Sequence, residues 1–319
     1  MAFALTEEEK ELQRGVRAFC EGRLPLERLR ALEGSGFEAG LWRELAELGV
    51  FDPALGPVGA ALVCEELARA LAPGPIVWTM LASLALPGAA RGECVVGGID
   101  LLGEASRRPI LIEHLEALDA LLVVREDGLW RVAADELRGR AVATPLDPLT
   151  PVHEVEALPR GERIGDAAAA AELRRRGAVL VAAELVGLAA GAHERAVAYA
   201  KEREQFGRPI GSFQAIQHML ADSFVWLELA RASVYAAAAA LADGGSPAAD
   251  RAVAAARVNA SRAAMNDART CIQVHGGMGY TWEVPAHLYF KRAWVKAACF
   301  GAPEEHARRL GETVSRTAV

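Results

Sequence analysis

What this chain of 319 residues lacks narrows its identity first. It has no Cys-x-x-Cys pair: the five cysteines, Cys20, Cys64, Cys94, Cys271 and Cys299, are odd in number and scattered. That distribution argues against a disulfide framework and predicts reduced thiols in a cytoplasmic protein. The seven histidines include no His-Glu-x-x-His and no paired spacing, so no metal site is expected. Basic charge is scarce, with 35 Lys and Arg against 42 Asp and Glu and a net charge of −7. Nucleic acid is therefore not the expected partner, since phosphate binding needs a basic surface, although one local basic pocket remains compatible with this balance. Apolar runs such as "VWTMLASLALPGAA" are short and broken by Pro and Gly, which predicts no membrane insertion. The opening "MAFALTEEEKELQRGVRAF" is acidic and amphipathic, without the basic start and apolar block of an export signal.

What is present reads as a globular chain with a sizeable core, 52% hydrophobic and 24% charged. Thr6 followed by Glu9 fits a capping box that opens a helix through about Glu21. Helical spacing recurs over 31–48 and over "GAALVCEELARALA" (59–72), where Pro73-Gly74-Pro75 stops it. Residues 91 to about 165 change character. "ECVVGGIDLL", "ALLVVRE" and "LWRVAAD" are β-like, and "TPLDPLTPVHEVEALPRGE" reads as an irregular or edge segment. This insert is hardly large enough for an independent sheet domain with its own pocket. From Ala167 the chain is helical again: 168–201, then 212–243 ending at Gly244-Gly245, then a third stretch to about Gln273, opened by Ser246-Pro247 as N-cap and first-turn proline. Short links between long helices imply antiparallel neighbours in a bundle. Arg174-Arg175-Arg176 reads most simply as a solvated face. The expected fold is mainly α with a small β middle region.

Two stretches carry chemistry. "REQFGRPIGSFQAIQH" (203–218) offers Arg203 and Arg208 for charge-assisted bonds to a diphosphate, and Gln214 and Gln217 as mixed donors and acceptors for a ribose or base. "CIQVHGGMGYTWE" (271–283) leaves backbone N–H groups uncovered at Gly276, Gly277 and Gly279. It follows a helix rather than a strand, so it is no Rossmann fingerprint. Each stretch alone is equally well an ordinary helix–helix loop or a helix C-cap.

In this order, about seventy residues apart in an all-helical half, the two stretches resemble the acyl-CoA dehydrogenase family of flavoproteins. The resemblance is close over 180–319, follows the helical layout over 1–90, and is partial over 91–165. It implies an N-terminal helical domain (1–90), a shortened middle β-domain (91–166) and a C-terminal four-helix bundle (167–319) with FAD-contacting loops. Residue by residue, Arg203 matches the family arginine at the FAD diphosphate, with Gln205 and Phe206 beside it. Phe213, Gln214 and Ile216 match the segment at the adenosine end, and Gln273, Gly276 and Gly277 match the turn that holds the diphosphate. In the family these groups serve a flavin seated mainly in a neighbouring subunit.

The resemblance also shows what is missing. The family's catalytic glutamate usually follows the aromatic before the last helix, and here Phe300 is followed by Gly301. Other members carry the acid on the first long C-terminal helix, at a position that falls near Gly177 here. Glu184 is the nearest surviving candidate base, followed by Glu304 and Glu305. The flavin-ring segments, an E-P-x-x-G-S-D type stretch and a Trp-x-Thr type stretch, do not occur between 88 and 165. The chain is similar to the shortened, base-lacking subunits of actinobacterial heterotetrameric acyl-CoA dehydrogenases that act on steroid or fatty acyl chains. The implied partner is a catalytic paralogue in an α2β2 assembly, with an acyl-CoA as substrate and an electron-transfer flavoprotein as electron acceptor. Two alternatives stand beside this reading: a self-sufficient homomeric dehydrogenase using Glu184 or a late acid, and an assembly protein without flavin.

Overall fold

The computed structural model describes residues 5–101, 109–242 and 246–317. Gly244-Gly245, read above as a helix end, lie outside the described residues. The chain divides into two compact units. One comprises Met1–Leu26, Pro57–Ala72 and Ala178–Val319, the other Glu27–Gly56 and Pro73–Gly177.

The first unit is helical. Its α1 (Glu7–Arg23) opens with the expected capping box: Thr6 Oγ1 accepts from Glu9 N–H and the Glu9 carboxylate accepts from Thr6 N–H. At its centre lies α4 (Gly56–Arg69), which buries two adjacent acids, Glu65 and Glu66. Glu66 accepts from Arg17 and Gln13 of α1. Glu65 accepts from Arg231 and Tyr235 of α8 (Gln214–Ala242). Each buried charge is thus paired and hydrogen-bonded, the condition under which burying one is tolerable. The long α7 (Ala167–Glu202) meets α4 at backbone distance. A Cβ on Gly187 would lie 2.1 Å from Glu65 O, and one on Gly191 2.4 Å from Arg69 O. Glycines one turn apart therefore let the two helix backbones touch. The bundle is completed by α9 (Pro247–His275, capped by Ser246), α10 (Ala286–Ala298) and α11 (Pro303–Thr317). Fully buried Ala237, Ala238, Ala256, Ala260, Ala263 and Ala264 keep the α8 and α9 faces thin.

By length and apolar content α7 and α8 would each reach across a bilayer, an apolar stretch the sequence reading passed over. The apolar window of α7 is 89% buried within the protein, as in a core helix, whereas that of α8 is only 39% buried.

The second unit mixes helices and sheets. The expected helix over 31–48 is instead α2 (Leu26–Ala31) and α3 (Ala39–Glu47), separated by a turn in which Gly34 and Gly36 take positive φ. Apolar spacing survives the break because both helices face one core. Helices α5 (Ile76–Ala82) and α6 (Pro87–Ala90) follow. The strands are β1 (Val96–Asp100), β2 (Ile110–Glu113), β3 (Ala120–Arg125), β4 (Gly128–Ala133), β5 (Gly139–Ala141), β6 (Val152–Val155) and β7 (Glu162–Gly165). They form a four-stranded sheet in the order β1-β3-β4-β7, with β1 and β3 parallel, and a three-stranded antiparallel sheet in the order β2-β6-β5.

Three expectations are corrected here. The proline-rich 144–162 segment contains the central strand of the smaller sheet, because Pro151 precedes β6 rather than interrupting it. The insert also lines a pocket of its own, helped by the α2–α3 turn. The triple arginine is not a free solvated face either. Arg174 pairs at 2.7 Å with Asp100 of β1, both side chains mostly buried, and Arg175 and Arg176 share Glu172.

Candidate functional site

Helix α7 ends one residue before Arg203, whose N–H donates to Tyr199 O and whose carbonyl accepts from Ile210 N–H. Between them the backbone closes a two-stranded hairpin, β8 (Glu204–Gln205) against β9 (Arg208–Pro209). Its two turn residues, Phe206 and Gly207, have φ of 54° and 75°. A two-residue hairpin with both φ positive matches strand twist, but it favours Asn-Gly or Gly-Gly, not a bulky aromatic. Phe206 is nevertheless held there with 93% of its surface exposed. Behind it the Arg208 guanidinium lies 4.1 Å over the Phe213 ring, and Phe206 meets the same ring edge-on at 6.2 Å.

The Arg203 side chain makes no ion pair or hydrogen bond among the described residues. It is exposed, as are Gln205 and Gln214, while Phe213 and Ile216 are half-buried at the start of α8. Gln217 is also exposed, but it donates to Gly211 O and so braces the loop.

The second stretch closes α9. Gly276 takes φ 61°, and a Cβ on Gly276 or Gly277 would meet nothing within 4 Å. Gly279 differs, since a Cβ there would lie 2.6 Å from Ile272 O. Two of the three glycines thus present bare backbone outward and the third is needed for packing. Gln273, one turn earlier, is exposed beside them.

Tyr199, which the sequence reading missed, joins the two stretches. Its ring stacks on His275 at 4.2 Å and its hydroxyl approaches Met278 Sδ at 3.8 Å, so the hairpin and the glycine turn stand at the same end of the bundle. His275 Nδ1 donates to Cys271 O. Burial holds the His275 pKa below its ordinary value, so a neutral ring stacks on Tyr199. The available signal was position: Tyr199 sits one helical turn before Arg203, and His275 directly before the glycines.

A separate cluster surrounds Gly301. Phe300 and Gly301 have φ of 53° and 95°. Arg257 of α9 is fully buried, and its Nη2 donates to the carbonyls of Ala297 (2.9 Å), Cys299 (2.8 Å) and Gly301 (3.0 Å). Burial pulls its pKa down to about 10, against the opposing pull of Cys299 and Glu184. His306 Nε2 donates to Phe300 O at 3.0 Å. A Cβ on Gly301 would lie 3.0 Å from that same Nε2 and 3.3 Å from Glu305 Oε2.

Glu184 is 7% exposed and lies 3.1 Å from Lys296 Nζ, with Oε2 lacking a hydrogen-bond partner. Glu304 is exposed, and Glu305 pairs with Arg309. None of these acids is brought beside the hairpin or the glycine turn by any described contact.

An exposed arginine, an aromatic-backed hairpin and a bare backbone turn at one end of a helical bundle suit the phosphates and base of a dinucleotide. The comparisons specify the family. Residues 168–315 match the model of the acyl-CoA dehydrogenase C-terminal domain, and residues 6–91 that of the acyl-CoA dehydrogenase N-terminal domain. Acyl-CoA dehydrogenase IpdE2 of Mycobacterium tuberculosis is 36% identical over 293 residues, 88% of each chain. Acyl-CoA dehydrogenase FadE34 of the same organism is 33% identical across 97% of this chain, a match that takes up 48% of FadE34. The ChsE4–ChsE5 complex from M. tuberculosis superposes with a TM-score of 0.87 at 25% identity, covering 99% of both chains. The chain therefore belongs to the acyl-CoA dehydrogenase family of FAD-dependent oxidoreductases.

Proposed function

We propose that this chain is a base-lacking subunit of a heteromeric acyl-CoA dehydrogenase, completing an FAD site whose flavin ring and catalytic carboxylate lie in a paralogous partner. One observation carries the reading. The hairpin holds Phe206 almost fully exposed in a backbone conformation that costs roughly 1–3 kcal/mol, and within this chain its ring meets only the edge-on Phe213 ring among the described contacts. Such strain persists where a ligand or partner chain repays it.

The residues present fit FAD. The Gly276 N–H is already donated to Gln273 O, so Arg203 and the exposed, side-chain-free backbone at Gly276 and Gly277 would hold the diphosphate; Gln205 and Phe206 would stand beside it; Phe213, Gln214 and Ile216 would line the adenosine end, and Gln273 would flank the turn. When bound, the flavin supplies the hydride acceptor for α,β-dehydrogenation of the acyl-CoA thioester. This chain's part is binding and orientation. The acid at the family position is replaced by Gly301, and Glu184 is committed to Lys296.

The FadE34 match supports a divided architecture, since about half of that polypeptide lies outside it. The likeness to a two-component complex agrees. The apolar side of α8, with Phe224, Val225 and Leu229 each about half exposed, supplies surface for association. The assembly is α2β2, each copy of this chain having three segments (1–90, 91–166 and 167–319), and its electron acceptor is an electron-transfer flavoprotein.

The test is co-expression with an acyl-CoA dehydrogenase paralogue, read by the visible spectrum. The chain alone is expected to purify with little flavin, and the complex to be yellow and active. A yellow, active chain without a partner would overturn the proposal.

A further inference from the structure

The β-containing unit holds a cavity of about 460 Å³ that shares no residue with the hairpin or the glycine turn. That volume lies within the roughly 300–1,000 Å³ range of small-molecule sites. Three segments make its walls: the turn after α2, the residues following β2, and the run from β5 into β6.

The walls are built tightly. Gly36 takes positive φ where a Cβ would lie 2.4 Å from Leu149 O and from Pro151 Cδ. His114 is also left-handed at φ 55°, and its N–H donates to Pro151 O at 2.8 Å. Gly34 N–H donates to Pro148 O. Fully buried Asp147 accepts from Leu149 N–H and Thr150 Oγ1. A left-handed histidine persists only where its surroundings over-determine it, so this cavity is a fixed feature of the unit.

Its polar groups gather in one place. His153 is 6% exposed, and its Nε2 lies 3.2 Å from Glu116 Oε1, whose side chain stands at the rim with 85% of its surface exposed. Phe37, Val142 and Pro145 make much of the remaining wall apolar, and among the described residues no lysine or arginine lines the cavity. A carboxylate or phosphate entering would meet Glu116 with no lysine or arginine of the described residues to offset it. The phosphates of a coenzyme A or a dinucleotide are therefore the wrong chemistry for this place.

We propose that the cavity binds a small organic molecule with an apolar body and a hydrogen-bond-donating head, an ammonium or hydroxyl, seated against Glu116 and His153. The carboxylate accepts from the head, and the apolar wall covers the body. This site is independent of the FAD reading and needs no partner chain.

The experiment follows the histidine ring resonances of the full chain, isotopically labelled at histidine, during titration with cyclohexylamine, cyclohexanol and cyclohexanecarboxylate. The loss of one signal in His153→Gln assigns His153. Saturable shifts of that signal are expected with the amine and the alcohol, with at least tenfold weaker binding of the carboxylate. Glu116→Gln, at an exposed position that the fold tolerates, should weaken the amine at least tenfold and bring it level with the alcohol. Val142→Trp should fill the cavity and abolish all binding. Three outcomes overturn the proposal: shifts that never saturate, a carboxylate that binds as well as the amine, or an amine affinity unchanged in Glu116→Gln. The last decides the matter even if Val142→Trp fails to fold.

Discussion

Arg203 leaves the end of α7 with its guanidinium unengaged among the described residues, whereas Arg208, five residues on, is spent on the Phe213 ring. The two arginines looked equivalent as diphosphate ligands, and geometry separates them. Arg203→Ala should remove a charge-assisted contact worth roughly 1.5–3 kcal/mol and lower flavin retention in the assembled complex accordingly. Flavin-to-protein absorbance ratios after gel filtration check this, and an unchanged ratio would remove Arg203 from the site. The glycine turn permits a similar contrast. A Cβ on Gly277 meets nothing within 4 Å in its own chain, so valine there should leave the fold intact yet impair FAD retention by obstructing the approach of the diphosphate to the exposed backbone. Met278→Val, at an exposed neighbouring position, should have the smaller effect. Equal flavin content in the two variants would end the phosphate argument.

At the scale of elements, α4 and α7 are held at backbone distance. Gly187→Ala would place a methyl 2.1 Å from Glu65 O, forcing the helices apart and straining the Glu65–Arg231–Tyr235 network. The expected cost is about 2–3 kcal/mol, read as a lowered Tm. Gly15→Ala in α1 is the control. Its Cβ meets nothing within 4 Å, so better helix propensity should stabilise by roughly 0.5–1 kcal/mol. A Gly187→Ala protein as stable as wild type would disprove the close approach. The loop between α10 and α11 is a second element-level device, clamped by Arg257 and His306. Under the proposed reading, Gly301→Glu would supply a carboxylate in a strained place: the position has φ 95°, and the new Cβ would press on His306 Nε2. A general base contributes roughly 10²–10⁴-fold, but only on a substrate already oriented for reaction. The variant alone, given FAD and acyl-CoAs of several lengths, should fail to reduce an artificial dye. Robust turnover would show that a complete site was present all along.

For the whole molecule, pH acts through the buried histidines. Burial lowers the pKa of both His275 and His306 below the ordinary 6.5, with the hydrogen bond to Phe300 O pulling His306 partly back. Between the folded values and 6.5 the unfolded chain binds more protons than the folded one. The stability tied to neutral imidazoles is therefore complete above pH 6.5 and lost as the pH falls through the folded values. Thermal melts between pH 7.5 and 5.5 should show Tm falling toward acid. His306→Gln keeps an N–H donor for Phe300 O and should flatten that slope, while an unaltered slope would show that His306 takes no part.

The sequence by itself determined α1, α4 and the long helices α7, α8 and α9, the capping box at Thr6, the Ser246-Pro247 start of α9, the strands β1, β3 and β4, and the family, because caps, periodicity and the two motifs are local properties of the chain. It misjudged 31–48, where apolar spacing continues across a turn, and 144–162, where prolines beside a strand look like prolines within one. It read Arg174 as solvated because nothing local announces Asp100, seventy-four residues away. Only tertiary structure decided which of two similar arginines is unengaged among the described residues and which two of three glycines are bare. It also revealed that Tyr199 ties the hairpin to the glycine turn, and that Gly301 sits in a clamp with little room for a side chain. Each of these depends on atoms far apart in the chain meeting within a few ångströms, and spacing along the chain does not encode such distances.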